Sequence, residues 1–249
     1  MRDIALTMIT IDRSPGTNYL YDTLRNLRRG GVWDAERFHS LHLCNSTIES
    51  RWARQQSYTF ALSFHRPNKD LLPSLNVAAA LRAGHSTSCK WIVFLEDDID
   101  VCDFFIESVS KWLDLHQADH FRVYSFGANY DAVKITAASG GTYWQYPVTA
   151  FYGTQCFAIR RDDALSLSHY LEDNPLYKGT SAGAYDLILQ EWSKYEYPQL
   201  KNFLASAPSF VQHIGRHSII NPRQDVHSFP SWPGRNWTFT GHKSAMNRT

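Results

Sequence analysis

Glu96, Asp97 and Asp98 stand together directly after Trp91-Ile92-Val93-Phe94-Leu95. Consecutive carboxylates repel one another unless something positive sits among them. A hard divalent cation, Mg²⁺ or Mn²⁺, held through oxygen and bridging to substrate phosphates, would be that charge. The five large apolar residues run without alternation, the pattern of a central strand buried on both faces. Ligands of open α/β sheets bind in the crevice beyond the carboxyl ends of the strands, which is where such a triplet falls. A solvated acidic loop after an ordinary strand is the competing reading of the triplet taken alone.

The rest of the chain supplies the elements that must position it. Residues 4–10 read as a strand and 11–16 as a loop. A helix follows over about 18–29, capped by Thr17 or Asn18 and ended by Gly30-Gly31. Leu41-His42-Leu43-Cys44 makes a short second strand. Residues 71–83 make a helix with Pro73 in its first turn and Gly84 as its stop. After the acidic strand, Asp103 can cap a helix over 104–115 with Phe105, Val109 and Trp112 along one face. Residues 121–126 read as another strand. The alternation predicts an α/β fold with crossover helices. Residues 127–147 break the pattern and suggest an excursion or hairpin. Residues 148–159 regain strand character, with Gly153 marking a bulge or a close backbone approach. Two helices, 162–172 and 184–195, flank the small-residue run Lys178-Gly179-Thr180-Ser181-Ala182-Gly183, a loop able to lie against a ligand. Phe210-Val211-Gln212 is a last short strand, and an irregular tail follows residue 220.

With 249 residues, 43% of them hydrophobic, the chain is long enough for one large α/β domain with an appended segment. We divide it into a main domain over 1–220, which would carry any active site, and a basic, aromatic tail over 221–249. A net charge of +1 argues against a protein that works by blanketing a polyanion. The four cysteines form no CxxC pair and no tight spacing, so neither a zinc site nor a disulfide framework is indicated. With strand-like residues beginning by Ile4, the expectation is a cytoplasmic protein with reduced thiols, no signal peptide and no membrane span. Asn45-Ser46-Thr47, Asn236-Trp237-Thr238 and Asn247-Arg248-Thr249 match glycosylation acceptors that carry no meaning in that compartment.

Four features then fall into order. The first strand ends in Thr10-Ile11-Asp12-Arg13, and a helix bearing Asn76, Ala79, Ala80, Ala83 and Gly84 precedes the acidic strand. Asp186 opens a helix after the glycine-containing loop, and the last strand runs into Gln212-His213-Ile214-Gly215-Arg216-His217. Over roughly residues 4–220 the chain resembles the GT-A class of nucleotide-sugar-dependent glycosyltransferases. Phe94-Leu95-Glu96-Asp97-Asp98 stands where that class has its DxD-type metal motif. The run from Pro208 to Ser218 is similar to one in the branching N-acetylglucosaminyltransferases of N-glycan synthesis.

The resemblance implies a Rossmann-like, mixed but mostly parallel sheet flanked by helices, and a metal-dependent transfer from a nucleoside diphosphate sugar, a UDP-sugar foremost. It implies Asp98 as the direct metal ligand, with Asp97 or Glu96 toward ribose or ordered water. His213, or His217 in second place, would complete a shell that suits Mn²⁺ better than Mg²⁺. Asp186 stands where the class has its general base for an inverting transfer, although a helix N-terminus favours a carboxylate on its own account. Thr10, Asp12, Arg13 and Asn76 would meet the nucleotide, a carboxylate for base or ribose and a guanidinium for phosphate.

Residues 216–249, the tail and the few residues before it, alternate Arg216, Arg223, Phe229, Trp232, Arg235, Trp237, Phe239 and Lys243. This stretch could close over the donor, grip a sugar, bind nucleic acid, or simply pack on the domain. A net charge of +1 is low for a DNA binder, so a glycan acceptor stands ahead of DNA carrying hydroxymethylated bases. A nucleotidyltransferase and a non-catalytic carbohydrate- or nucleic-acid-binding module are the other classes. The nucleotidyltransferase would want a better phosphate loop than Arg13-Ser14-Pro15-Gly16.

Overall fold

A computed structural model of the chain describes residues 2–10, 19–44, 62–65, 73–118, 120–128, 130–175, 185–215 and 232–240. Their elements run β1 (Ile4–Ile9), α1 (Tyr19–Arg29), β2 (Phe38–Cys44), β3 (Leu62–His65), α2 (Pro73–His85), β4 (Trp91–Leu95), β5 (Ile99–Val101) and α3 (Phe105–His116). There follow β6 (Val123–Ser125), α4 (Asp131–Ala138), β7 (Tyr143–Pro147), β8 (Cys156–Arg160), α5 (Arg161–Asp173), α6 (Tyr185–Glu196), β9 (Asn202–Ser206) and β10 (Val211–His213).

Eight strands form one sheet in the order β3-β2-β1-β4-β8-β6-β9-β7. Strands β1 to β4 run parallel, as do β6 and β9, while β8 runs against both β4 and β6 and β7 runs against β9. This is the α/β fold that the residue pattern predicts, in the mixed, mostly parallel form that the resemblance implies. β4 lies at its centre between β1 and β8. Trp91, Val93 and Leu95 pack into the core on one face, and Ile92 and Phe94 into the core on the other. That two-sided burial is why the run lacks alternation.

The sequence-based boundaries need several corrections. Gly84 does not stop α2; it lies within the last turn, where the helix presses on the sheet. A Cβ there would sit 2.6 Å from Ile92 Cγ2 and 2.9 Å from Thr7 Cγ2. Gly84→Ala is therefore expected to destabilise the fold by about 1–3 kcal/mol through overpacking, measurable as a lower urea midpoint. Asp103 does not cap α3. Phe104 occupies the N-cap in a left-handed conformation (φ 50°) with no side-chain cap, and Asp103 instead accepts from Arg29 at 2.6 Å.

Residues 127–147 hold a true helix, α4, and the edge strand β7. The strand expected over 148–159 narrows to β8 after a 3-10 turn at Val148–Ala150. β3, β5 and β9 were not anticipated, because three to five residues are too few to show a period. Asp12, Arg13, His217, the 178–183 loop and most of the tail lie outside the described residues. All four cysteines are free and buried, and burial pushes the Cys44 and Cys102 thiols up to about 12. Among the described residues no helix is long and apolar enough to cross a membrane.

Candidate functional site

The chain leaves β4 through Glu96, Asp97 and Asp98 and at once enters β5, which belongs to a separate two-stranded ribbon. β10 pairs antiparallel with β5 and sets His213 opposite Ile99. The ribbon continues one residue further, since the Ile214 N–H donates to the Asp98 carbonyl at 2.8 Å. This pairing brings a late histidine to the acidic turn. His213 Nε2 lies 3.1 Å from Asp98 Oδ2, and Glu96, Asp98 and His213 each offer a ligand atom within 4.8 Å of the others.

Gly215 makes room for this approach. A Cβ on it would fall 2.2 Å from Asp98 Oδ2 and 3.0 Å from His213 Nε2. Two carboxylates and an imidazole converging across a glycine-lined gap fit a divalent cation.

The acids beside the cluster have other partners. Asp97 is buried and accepts from the Thr10 hydroxyl at 2.9 Å. The turn itself is fastened from α1, where the Thr23 hydroxyl donates to the Asp97 carbonyl at 2.7 Å and accepts from the Ile99 N–H at 3.0 Å. Asp100, equally buried, takes Arg29 at 2.9 Å and the guanidinium of Arg235 from the tail. The described tail packs on the domain: Trp232 and Trp237 lean on the core, Phe239 is buried in it, and the Asp103 N–H donates to the Arg235 carbonyl at 2.8 Å. Arg235 thus holds the strand behind the acidic turn.

Asp186 stands in the first turn of α6, one residue after Tyr185. The Tyr185 hydroxyl donates to Glu96 Oε1, and its ring meets Phe94 edge-on. Asp186 accepts from the Thr154 hydroxyl. Burial raises its carboxyl from the ordinary 3.8 to about 6, against the opposing pull of the hydroxyl and backbone hydrogen bonds of Thr154. The strand pairing explains Thr154, because the Glu96 N–H donates to the Gln155 carbonyl at 3.0 Å and places the segment before β8 beside the acidic turn. Gly153 makes the anticipated close approach, with a Cβ there 3.1 Å from the Gly127 carbonyl oxygen.

Of the residues singled out from sequence, Glu96, Asp98 and His213 form one cluster, Thr10 and Asp97 a second contact, and Asp186 joins the first through its neighbour Tyr185. Asn76 is buried at the end of the first turn of α2 and enters none of these hydrogen bonds; its amide oxygen has no partner among the described residues. Tyr185 and Thr154 were not foreseen. The adjacency of Tyr185 to Asp186 was the one signal for it, and Thr154 carried none.

Together, the sheet order and the site at its carboxyl edge place the chain in a class of fold: GT-A-like, α/β, of Rossmann type. No family model and no curated protein matches the sequence. Among solved structures the chain is similar to 4-diphosphocytidyl-2C-methyl-D-erythritol synthase from Anaerococcus prevotii, with TM-score 0.52, 7% identity, and 84% of this chain and 89% of that one covered. It is also similar to residues 1–349 of S. aureus TarS in complex with UDP, with TM-score 0.50, 12% identity and 82% of this chain covered. It spans 58% of that TarS chain.

Proposed function

We propose that the protein is a metal-dependent glycosyltransferase that moves a hexosyl or N-acetylhexosaminyl group from a UDP-sugar to a hydroxyl of a glycan or glycoconjugate, with inversion. One observation carries this reading. Three side chains able to ligate a metal and a carboxyl with a raised pKa meet at the carboxyl edge of a GT-A-like sheet, joined through the adjacent residues Tyr185 and Asp186. That a similar fold in TarS holds UDP supports a nucleotide at this edge. Residues 1–220 form the catalytic unit and 221–249 its accessory tail.

Glu96, Asp98 and His213 would hold Mn²⁺, which supplies Lewis-acid stabilisation of a departing diphosphate. The mixed oxygen and imidazole set favours Mn²⁺ over Mg²⁺. Thr10 and Asp97 brace the nucleotide side, together with Asp12, Arg13 and Asn76. Asp186 takes the proton of the acceptor hydroxyl as that oxygen attacks the anomeric carbon. The bond from that carbon to the diphosphate oxygen breaks, and its electron pair leaves with the phosphate. A base with a pKa near 6 is ionised at neutral pH yet retains proton affinity, which suits this step.

The test is nucleotide release from a panel of UDP-, GDP- and CMP-sugars with Mn²⁺. Release from one donor, abolished by EDTA, is the expected result; no release and no thermal shift with any nucleotide would refute the reading. The Tyr185 hydroxyl orients Glu96, so Tyr185→Phe is expected to weaken Mn²⁺ binding about tenfold, read by calorimetric titration in the presence of UDP.

A further inference from the structure

The proposed transfer leaves a group of aromatic side chains near Asp186 without a role. Tyr130 follows β6 at the carboxyl edge of the sheet, and Trp144 stands near the start of β7. Their rings stack with centroids 4.9 Å apart and 17° between planes. Tyr146 is buried behind them, 5.7 Å from Tyr130 and 4.9 Å from Trp144. Its hydroxyl accepts the backbone N–H of Tyr152 at 3.2 Å.

The segment around Tyr152 is sewn to α6 on both sides. Gln190 Nε2 donates to the Phe151 carbonyl at 3.0 Å, and the Thr154 hydroxyl donates to Asp186. Tyr152 therefore stands two residues from the contact with the proposed base. It remains 56% exposed, and Tyr130 44%. Tyr146 also feels both groups: burial pushes its hydroxyl up to about 12 against the opposing pull of the Tyr152 backbone hydrogen bond, with the fields of Asp186, Tyr130 and Tyr152 adding to the rise.

Resting on the transferase reading, we propose that Tyr130 and Tyr152, backed by Trp144 and Tyr146, form the acceptor subsite and that it takes a pyranose ring of a saccharide. A tyrosine offers such a ring two complementary surfaces. The aromatic face covers the apolar C–H face of the sugar, and the phenol hydroxyl meets its hydroxyl groups. The stacked ring of Trp144 and the buried ring of Tyr146 hold this surface in place before the ligand arrives, which lowers the entropy lost on binding. Charge favours a sugar over a nucleic acid. A polynucleotide is gripped through its phosphates by clustered Lys and Arg. The chain from Tyr130 to Gly153, which supplies this platform, holds one lysine, Lys134, against one aspartate, Asp131, and so carries no net positive charge.

The experiment is saturation-transfer NMR on the protein with UDP and Mn²⁺. The probes are the methyl pyranosides of glucose, galactose, mannose and N-acetylglucosamine, and a single-stranded oligonucleotide; calorimetry follows UDP in parallel. At least one pyranoside is expected to bind through its ring protons. Tyr152→Ala and Tyr130→Ala should each weaken it about tenfold as the aromatic face is lost, with most of the affinity kept in Tyr152→Phe. UDP binding retained in each variant shows that the fold and donor site are intact. UDP binding without any pyranoside would overturn the proposal. So would pyranoside binding that survives both alanine variants, or an oligonucleotide that alone depends on the two tyrosines. Failure of UDP itself to bind would overturn the transferase reading, and this inference with it.

Discussion

Asp186→Asn is expected to lower the rate of sugar transfer by about 10²–10⁴-fold, the usual contribution of a positioned general base. The same variant should melt at or above the wild-type temperature at pH 7. Both outcomes follow from one fact: burial lifts this carboxyl from 3.8 to about 6. A folded-state pKa above the unfolded value means that the native protein binds the proton more tightly. Its contribution to stability is full below about pH 4 and is lost as pH rises through about 6. At neutral pH the ionised carboxylate therefore costs stability, and asparagine, which can still accept from Thr154, removes that cost. The rate has the opposite dependence, since only the ionised form accepts a proton. In wild type, kcat/KM should climb through about pH 6 to a plateau, and this limb should be absent from the residual activity of the variant. A wild-type rate flat between pH 5 and 7, or an asparagine variant that is both active and less stable, would remove Asp186 from the mechanism.

The second large effect is expected at Gly215, which contributes no ligand atom. An alanine Cβ would lie 2.2 Å from Asp98 Oδ2, 2.9 Å from its Cγ and 3.0 Å from His213 Nε2. Nothing accommodates that without moving the side chain of Asp98 or His213. The Asp98 side chain is almost wholly enclosed, and its backbone is held by the Ile214 N–H. Gly215→Ala should thus reduce Mn²⁺ affinity by at least about 10–100-fold, the range for residues that only orient metal ligands. Asp98→Asn removes the charge of a proposed ligand and should abolish Mn²⁺-dependent nucleotide release. Titration of Mn²⁺ in the presence of UDP separates the outcomes. Undiminished affinity in Gly215→Ala would mean that Asp98 and His213 do not hold the ion.

The acidic strand was legible because it combines two signals, neither decisive alone. An unbroken apolar run marks a strand buried on both faces, and charge at its end marks the sheet edge where ligands gather. α1, α2, α5 and α6 were readable from periodicity and their flanking glycines and prolines. α4 was obscured by the glycines at 140 and 141 that follow it. β5 shows no pattern of its own, because three residues become a strand only when β10 arrives beside them. The late histidine was visible as a residue, and its resemblance to a known stretch suggested a role. Its distance to Asp98 depends on that ribbon.

By itself, then, the sequence determined the class of sheet, the strand that carries the acids and the short roster of groups able to do chemistry. These are local matters of apolar period, charge and turn residues. The tertiary structure alone decided which acid meets which partner. Side chains in an acidic turn diverge, and each meets a partner brought by a remote segment. Asp97 meets Thr10 across 87 residues, and Asp100 meets Arg235 across 135. Glu96 and Asp98 remain facing His213. Four neighbouring carboxylates of similar intrinsic chemistry are separated by long-range packing, which no local pattern records.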